Sequence, residues 1–179
     1  GVVVTCGFWE GALESLDSLG RWRDLVRDNA DVTCMGDTPE AIERAAEEGR
    51  VAAIMGFQNA NLFEGRIRLV EMFAELGVRV VQLTYNNQNE LAGSCYEAED
   101  SGLSRFGAEV VREMNRQGML IDCSHVGDRS TLDAIKASEK PVAVTHANAA
   151  SLFPHKRNKS DKVLHALRDT GGVIGCAAY

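Results

Sequence analysis

The stretch MLIDCSHVGDRSTLDAIKASEKPVAVTHANA occupies positions 119–149. It contains two apolar runs of strand length, and each ends on a hydroxyl residue followed by a histidine: Ser124-His125 and Thr145-His146. Neither run alternates with polar residues, which is how a strand buried on both faces reads. Between them, Asp128 could cap a helix that carries Leu132 and Ile135. Strand, helix, strand is the grammar of a parallel sheet with a crossover helix. Two consecutive units therefore end on the same pair of residue types.

The same grammar extends in both directions. Strand-length apolar runs recur as GVVVTC (1–6), RVAAIMGF (50–57), VRVVQLTY (78–85) and GVIGCAAY (172–179). Helical patterns separate them. Thr38-Pro39-Glu40 reads as a helix start with proline in the first turn, followed by Ile42, Ala45 and Ala46. Leu62 to Leu76 predicts an amphipathic helix closing at Gly77. Phe106, Val110, Val111 and Met114 predict another that stops at Gly118, and Ser160 could cap one carrying Val163, Leu164 and Leu167. The longest loop is expected over 86–104, where Asp100-Ser101-Gly102 reads as a turn into a helix start at Ser104.

Two architectures fit this alternation, a doubly wound sheet and a (β/α)₈ barrel. No GxGxxG or Walker loop follows any run, and the polar residues at the strand ends are His, Tyr, Gln and Asn spread over several units. That distribution favours a barrel, whose strand-end loops share one mouth. The predicted fold class is therefore α/β, a (β/α)₈ barrel incomplete in this chain, with about six β/α units in one partial domain spanning 1–179.

Composition narrows the function. The chain has 179 residues, 45% hydrophobic and 25% charged, with a net charge of -7. An acidic chain with a pI near 5.1 argues against nucleic acid as a partner. No apolar run approaches the roughly 18 residues of a membrane span, and no signal-peptide pattern is present. The five cysteines form no CxxC pair, so a reduced, cytoplasmic setting is the simplest expectation. Cys6, Cys123 and Cys176 sit in or at the ends of apolar runs and read as small buried hydrophobes.

Of the four histidines, His155 falls in a loop and His165 on a helix, both expected at the surface. His125 and His146 directly follow consecutive strands. If those strands are parallel neighbours, both imidazoles face the same end of the sheet and could make half of a zinc site, the alternative being two hydrogen-bonded histidines at strand ends. A third ligand at the corresponding strand end could come only from Gln58, through its carbonyl oxygen. Asp122 shares a direction with Ser124, so it is expected to orient a neighbour rather than bind metal. Arg157, in HKRNK, reads on its own as solvated charge.

The segments LTYNNQN, GLSRFGAEVVREMNRQGMLIDCSHVGDRSTLDAIKASEKPVAVTHANA, RNKSDKVLHAL and GGVIG, taken in order, resemble the renal or membrane dipeptidase family. The resemblance covers essentially the whole chain. It implies a (β/α)₈ barrel with zinc at the strand C-terminal ends and hydrolysis of dipeptides or small amides. It places His125 and His146 as metal ligands, Arg157 on the substrate carboxylate, and the family's bridging glutamate and substrate-contacting histidine at Gln58 and Tyr85. Both of the last two are departures. A tyrosine can still donate to an oxyanion, whereas a neutral glutamine cannot screen two close cations, so one zinc, or none in this truncated chain, is expected rather than two. The family's first-strand His-x-Asp would precede Gly1 and its last-strand acid would follow Tyr179, so the chain corresponds to strands two to seven. Unpaired edges at 1–6 and 172–179 then predict a fragment that is insoluble or molten alone and without peptidase activity. The expected function is that of a zinc-dependent dipeptidase, with a homodimer among the assemblies open to it. The alternative is a decayed barrel that binds peptide or metal without turnover.

Overall fold

Valine-rich runs without polar alternation become strands, and each described strand pairing is parallel. The structure is a computed structural model and describes residues 1–178. Tyr179, the last residue of the run predicted over 172–179, lies outside the described residues. The chain divides into two compact units, residues 1–81 and the residues from Gln82 onward.

In the first unit the order is β1 (Val2–Thr5), α1 (Ala12–Asp28), β2 (Thr33–Met35), α2 (Pro39–Glu47), β3 (Val51–Phe57), α3 (Arg68–Glu75) and β4 (Val78–Gln82). The ladder is organised by β3. It pairs with β2 from Val51 to Ala53, with β1 from Ala53 to Gly56, and with β4 from Met55 to Phe57. Ala52, Met55 and Phe57 of β3 are buried, as are Phe63, Val70 and Phe73. Phe73 meets Phe57 and Phe63 edge-on at centroid distances of 6.2 and 6.4 Å, a favoured geometry for aromatic pairs.

Three features of this unit depart from the pattern reading. Thr38 does cap α2, accepting from the Ala41 amide at 3.2 Å. The helix expected over 62–76, however, is divided. A 3₁₀ turn at Asn61–Phe63 ends in two left-handed residues, Glu64 and Gly65, and the α-helix begins only at Arg68. Helix α1 and strand β2 are not among the elements that the sequence pattern predicts. The buried face of α1 is Ser15, Leu19 and Val26, while Leu13, Leu16 and Leu25 remain exposed, so its apolar period is blurred.

The second unit contains α4 (Arg105–Arg116), β5 (Leu120–Asp122), α5 (Asp128–Ala137), β6 (Ala143–Ala147), α6 (Asp161–Asp169) and β7 (Val173–Cys176). Ser104 caps α4 through the Gly107 amide at 2.9 Å, and the helix closes before Gly118 in the left-handed region. The cap of α5 is Gly127, with Asp128 in the first turn. The order is β5-β6-β7, and the β6–β7 register breaks between Val144 and Ala147. Thr145 and His146 occupy that break. Cys6 and Cys123 are buried as expected, but Cys176 is exposed, because β7 presents it outward.

Two glycine substitutions should move stability in opposite directions. Gly20 lies inside α1 with open space where a Cβ would go, so Gly20→Ala should stabilise by about 0.5–1 kcal/mol. A Cβ on Gly107 would sit 2.2 Å from the Leu91 carbonyl oxygen, so Gly107→Ala should cost about 1–3 kcal/mol. Thermal melts of the two variants check both signs.

Candidate metal centre

The site is built around a buried carboxylate in the second unit. Asp122 closes β5 and is 3% exposed. Its Oδ1 accepts from the Ser124 amide at 2.8 Å, the Ser124 hydroxyl at 2.7 Å and the Thr145 amide at 3.1 Å. Its Oδ2 accepts from the Thr145 hydroxyl at 2.6 Å. The His146 amide completes the set by donating to Ser124 Oγ at 3.0 Å. Side chains thus take over where the backbone ladder breaks, and the two Ser/Thr–His steps are tied at one level.

This frame aims the histidines. Their Nε2 atoms are 3.1 Å apart. Two nitrogens each about 2.0–2.1 Å from one tetrahedral zinc would be separated by about 3.3 Å. The opposite ring nitrogens are occupied. His125 Nδ1 lies 2.7 Å from Asn86 Oδ1, an acceptor, so Nδ1 carries the proton. Thr145 Oγ1 gives its own proton to Asp122 and lies 2.8 Å from His146 Nδ1, so that nitrogen donates too. Each ring is left with an Nε2 lone pair facing the other, the tautomer a metal ligand requires.

The surroundings keep the rings neutral. Burial, reinforced by the positive charges of Arg157, His146 and Lys159, pushes the His125 pKa down to about 3. Burial lowers His146 as well, with the Asp122 charge opposing and Arg157 adding to it. Metal ligation needs neutral imidazole. The pair therefore fits a cation in geometry, tautomer and charge state. Among the described residues no group of three or more His, Cys, Asp or Glu comes together, so the structure assembles a two-imidazole half-site.

The other expected residues divide. Tyr85 lies against His125, the two rings tilted by 37° with centroids 4.4 Å apart. Arg157 is 5% exposed, and its Nη2 donates to the His146 carbonyl at 2.6 Å. The HKRNK stretch is therefore not simply solvated charge: Arg157, Asn158 and Lys159 are all buried. Arg157 Nη1 is buried without a hydrogen-bond partner. Gln58 directly follows β3 in the first unit, where its side-chain amide donates to Thr5 Oγ1 at 2.9 Å. His155 and His165 are exposed as expected.

Two contributors escaped the sequence reading. Asn86 orients His125 and, like it, has a left-handed backbone, with φ of 62° and 61°. Asn tolerates that region better than most residues, and its place at the start of the long loop was the available signal. Asp100 belongs to an acidic stretch that reads as merely solvated. Its carboxylate instead accepts from the Ser130 amide and hydroxyl at 2.9 and 2.5 Å and from the Gly102 amide at 3.0 Å, anchoring the loop that delivers Asn86.

The sequence profile of the membrane dipeptidase family (Peptidase family M19) matches residues 4–179. The chain is 32% identical over 171 residues to an uncharacterized dipeptidase of Schizosaccharomyces pombe, covering 93% of this chain and 41% of that protein. It superposes with a TM-score of 0.94 on an amidohydrolase from Pseudomonas aeruginosa at 41% identity, over 97% of this chain and 53% of the other. A metallo peptidase from Rhodobacter sphaeroides, solved with a phosphinate mimic of the dipeptide L-Ala-D-Ala, shares the fold at 24% identity and a TM-score of 0.85, over 92% of this chain and 49% of that one. The chain belongs to the membrane dipeptidase family, and its fold class is the expected α/β, an incomplete (β/α)₈ barrel. It spans about half the length, or less, of the proteins it matches.

The depressed imidazoles make metal-free protein acid-sensitive. The unfolded chain binds protons at His125 and His146 near the ordinary value of about 6.5, whereas folded His125 binds its proton only near 3. Stability is therefore lost as pH falls from about 6.5 towards 3. Melts of chelator-treated protein should show this slope, and His125→Gln should flatten it. An unchanged slope in that variant would show that His125 is not its source.

Proposed function

We propose that the protein to which this chain belongs is a metal-dependent dipeptidase, with His125 and His146 as zinc ligands and Arg157 as the receptor for the substrate's C-terminal carboxylate. The observation that carries this reading is the imidazole pair, with Nε2 atoms 3.1 Å apart and both Nδ1 atoms engaged. Zinc in such a site lowers the pKa of a water to about 7 and polarises a carbonyl. Membership of the dipeptidase family supports the substrate class.

The chain's own residues supply binding and orientation. The Arg157 guanidinium is braced through Nη2 on the His146 carbonyl and keeps Nη1 without a partner. A carboxylate would satisfy that nitrogen by a charge-assisted bond. The bracing also sets a fixed relation between the carboxylate receptor and His146. A dipeptide fixed by its C-terminus would then present its single amide bond to the imidazole pair, which fits a preference for short peptides. Tyr85, held against His125, is assigned the donor role for the developing oxyanion. Gln58 offers a neutral oxygen and not an anionic bridge, so the reading assigns one strongly held ion.

Variants of the full-length protein test these roles. Chelation and His146→Ala should each abolish dipeptide hydrolysis. Arg157→Met should raise KM for a dipeptide by about 10- to 100-fold, the loss of a hydrogen bond to a charged group. It should leave the C-terminal amide of the same dipeptide little changed. Equal losses on both substrates would remove Arg157 from the carboxylate role.

A further inference from the structure

We propose that Lys159 is a positioning residue for His125: its ammonium locks the left-handed turn that presents the imidazole and fastens to that turn the loop carrying Arg157. The inference rests on the reading of His125 as a metal ligand.

Lys159 is 1% exposed, and its Nζ donates to the Val126 carbonyl and, at 3.1 Å, to Thr131 Oγ1. Thr131 in turn donates to the Gly127 carbonyl at 2.8 Å. The peptide groups that follow His125 are thus tied from one buried point. The rest of the turn is held by the Cys95 amide on the His125 carbonyl at 2.8 Å and the Gly127 amide on the Gly93 carbonyl at 3.1 Å. A non-glycine residue at φ 61° needs such over-determination. The lysine backbone is fixed as well, bonded in both directions to the start of its own loop at Asn148 and Ala150, each at 2.9 Å. One side chain therefore connects the Arg157 loop to the His125 turn.

Stability alone does not account for a lysine here. Burying an ammonium is costly, and desolvation pushes its pKa down. An apolar residue of similar length would fill the space without that cost. What it would lose is the partner of the Val126 carbonyl, and with it the fixed pose of the adjacent histidine. A partner that orients a ligand typically changes metal affinity by about 10- to 100-fold. A mere packing pin would lower the melting temperature and leave affinity untouched.

The experiment uses the full-length protein and measures two quantities: the Zn²⁺ dissociation constant by competition with a chromophoric chelator, and the melting temperature of the metal-free form. Lys159→Met should weaken Zn²⁺ binding about tenfold or more. Thr131→Val, which removes one lysine acceptor and the tie to Gly127, should weaken it less but measurably. Folded Lys159→Met with wild-type Zn²⁺ affinity overturns the proposal, whatever its melting temperature. If Lys159→Met does not fold, Thr131→Val decides by the same criterion. Wild-type protein that fails to bind Zn²⁺ would refute the metal reading itself, and this inference with it. That result is distinct from a wild type that binds while the variants bind equally well.

Discussion

The Asp122 carboxylate is the constraint on which the second unit's site depends. A buried charge without partners would be destabilising by several kcal/mol. Asp122 avoids this by accepting four hydrogen bonds, two from Ser124 and two from Thr145. Those donors belong to the ends of two neighbouring strands. The same bonds that satisfy the charge therefore set the height and rotation of both Ser/Thr–His steps. The Thr145 hydroxyl carries the effect one residue further, since giving its proton to Asp122 makes it an acceptor for His146 Nδ1.

His125 is aimed by a different device. Its ring is set by Asn86 and Tyr85, which follow β4, and its backbone by a left-handed turn. Such a conformation carries a cost of order 1–3 kcal/mol and survives only where neighbours hold it. Here, besides Lys159, the neighbours come from the loop over 86–104, which Asp100 clamps to the first turn of α5. The crowding at the clamp explains two glycines. A Cβ on Gly93 or Gly127 would lie within 2.3 Å of an Asp100 carboxylate oxygen. The acidic stretch is thus part of the frame and not only a solvated surface.

Period and end residues carried most of the fold. Strands buried on both faces leave an unmistakable apolar run, and Ser104, Gly118 and Thr38 mark helix ends by chemistry that acts locally. Helix α1 was hidden because three of its leucines face solvent, so burial and hydropathy disagree along it. The break at Glu64-Gly65 was hidden because a left-handed glutamate leaves no compositional trace. In the site, the repeated hydroxyl–histidine step was legible because strand direction converts sequence position into a shared end of the sheet. Asn86 and Asp100 were not, since their roles depend on how a long loop folds back, which no local rule specifies.

The stretch HKRNK shows most sharply what composition cannot decide. Two cations stand two residues apart, and both are buried. Lys159 finds two oxygens within its own fold. Arg157 finds one partner and keeps a second nitrogen buried and unpaired. An unsatisfied buried donor costs about 1–3 kcal/mol, more when charged, and the surrounding fold offers no acceptor to reduce it. That deficit lies beside the two imidazole Nε2 lone pairs, which face each other. Lone pairs call for a cation and a guanidinium calls for an anion, so the two deficits are opposite in sign and adjacent. A cation would meet the first and a carboxylate the second, which is the charge pattern that the proposed dipeptidase reading requires.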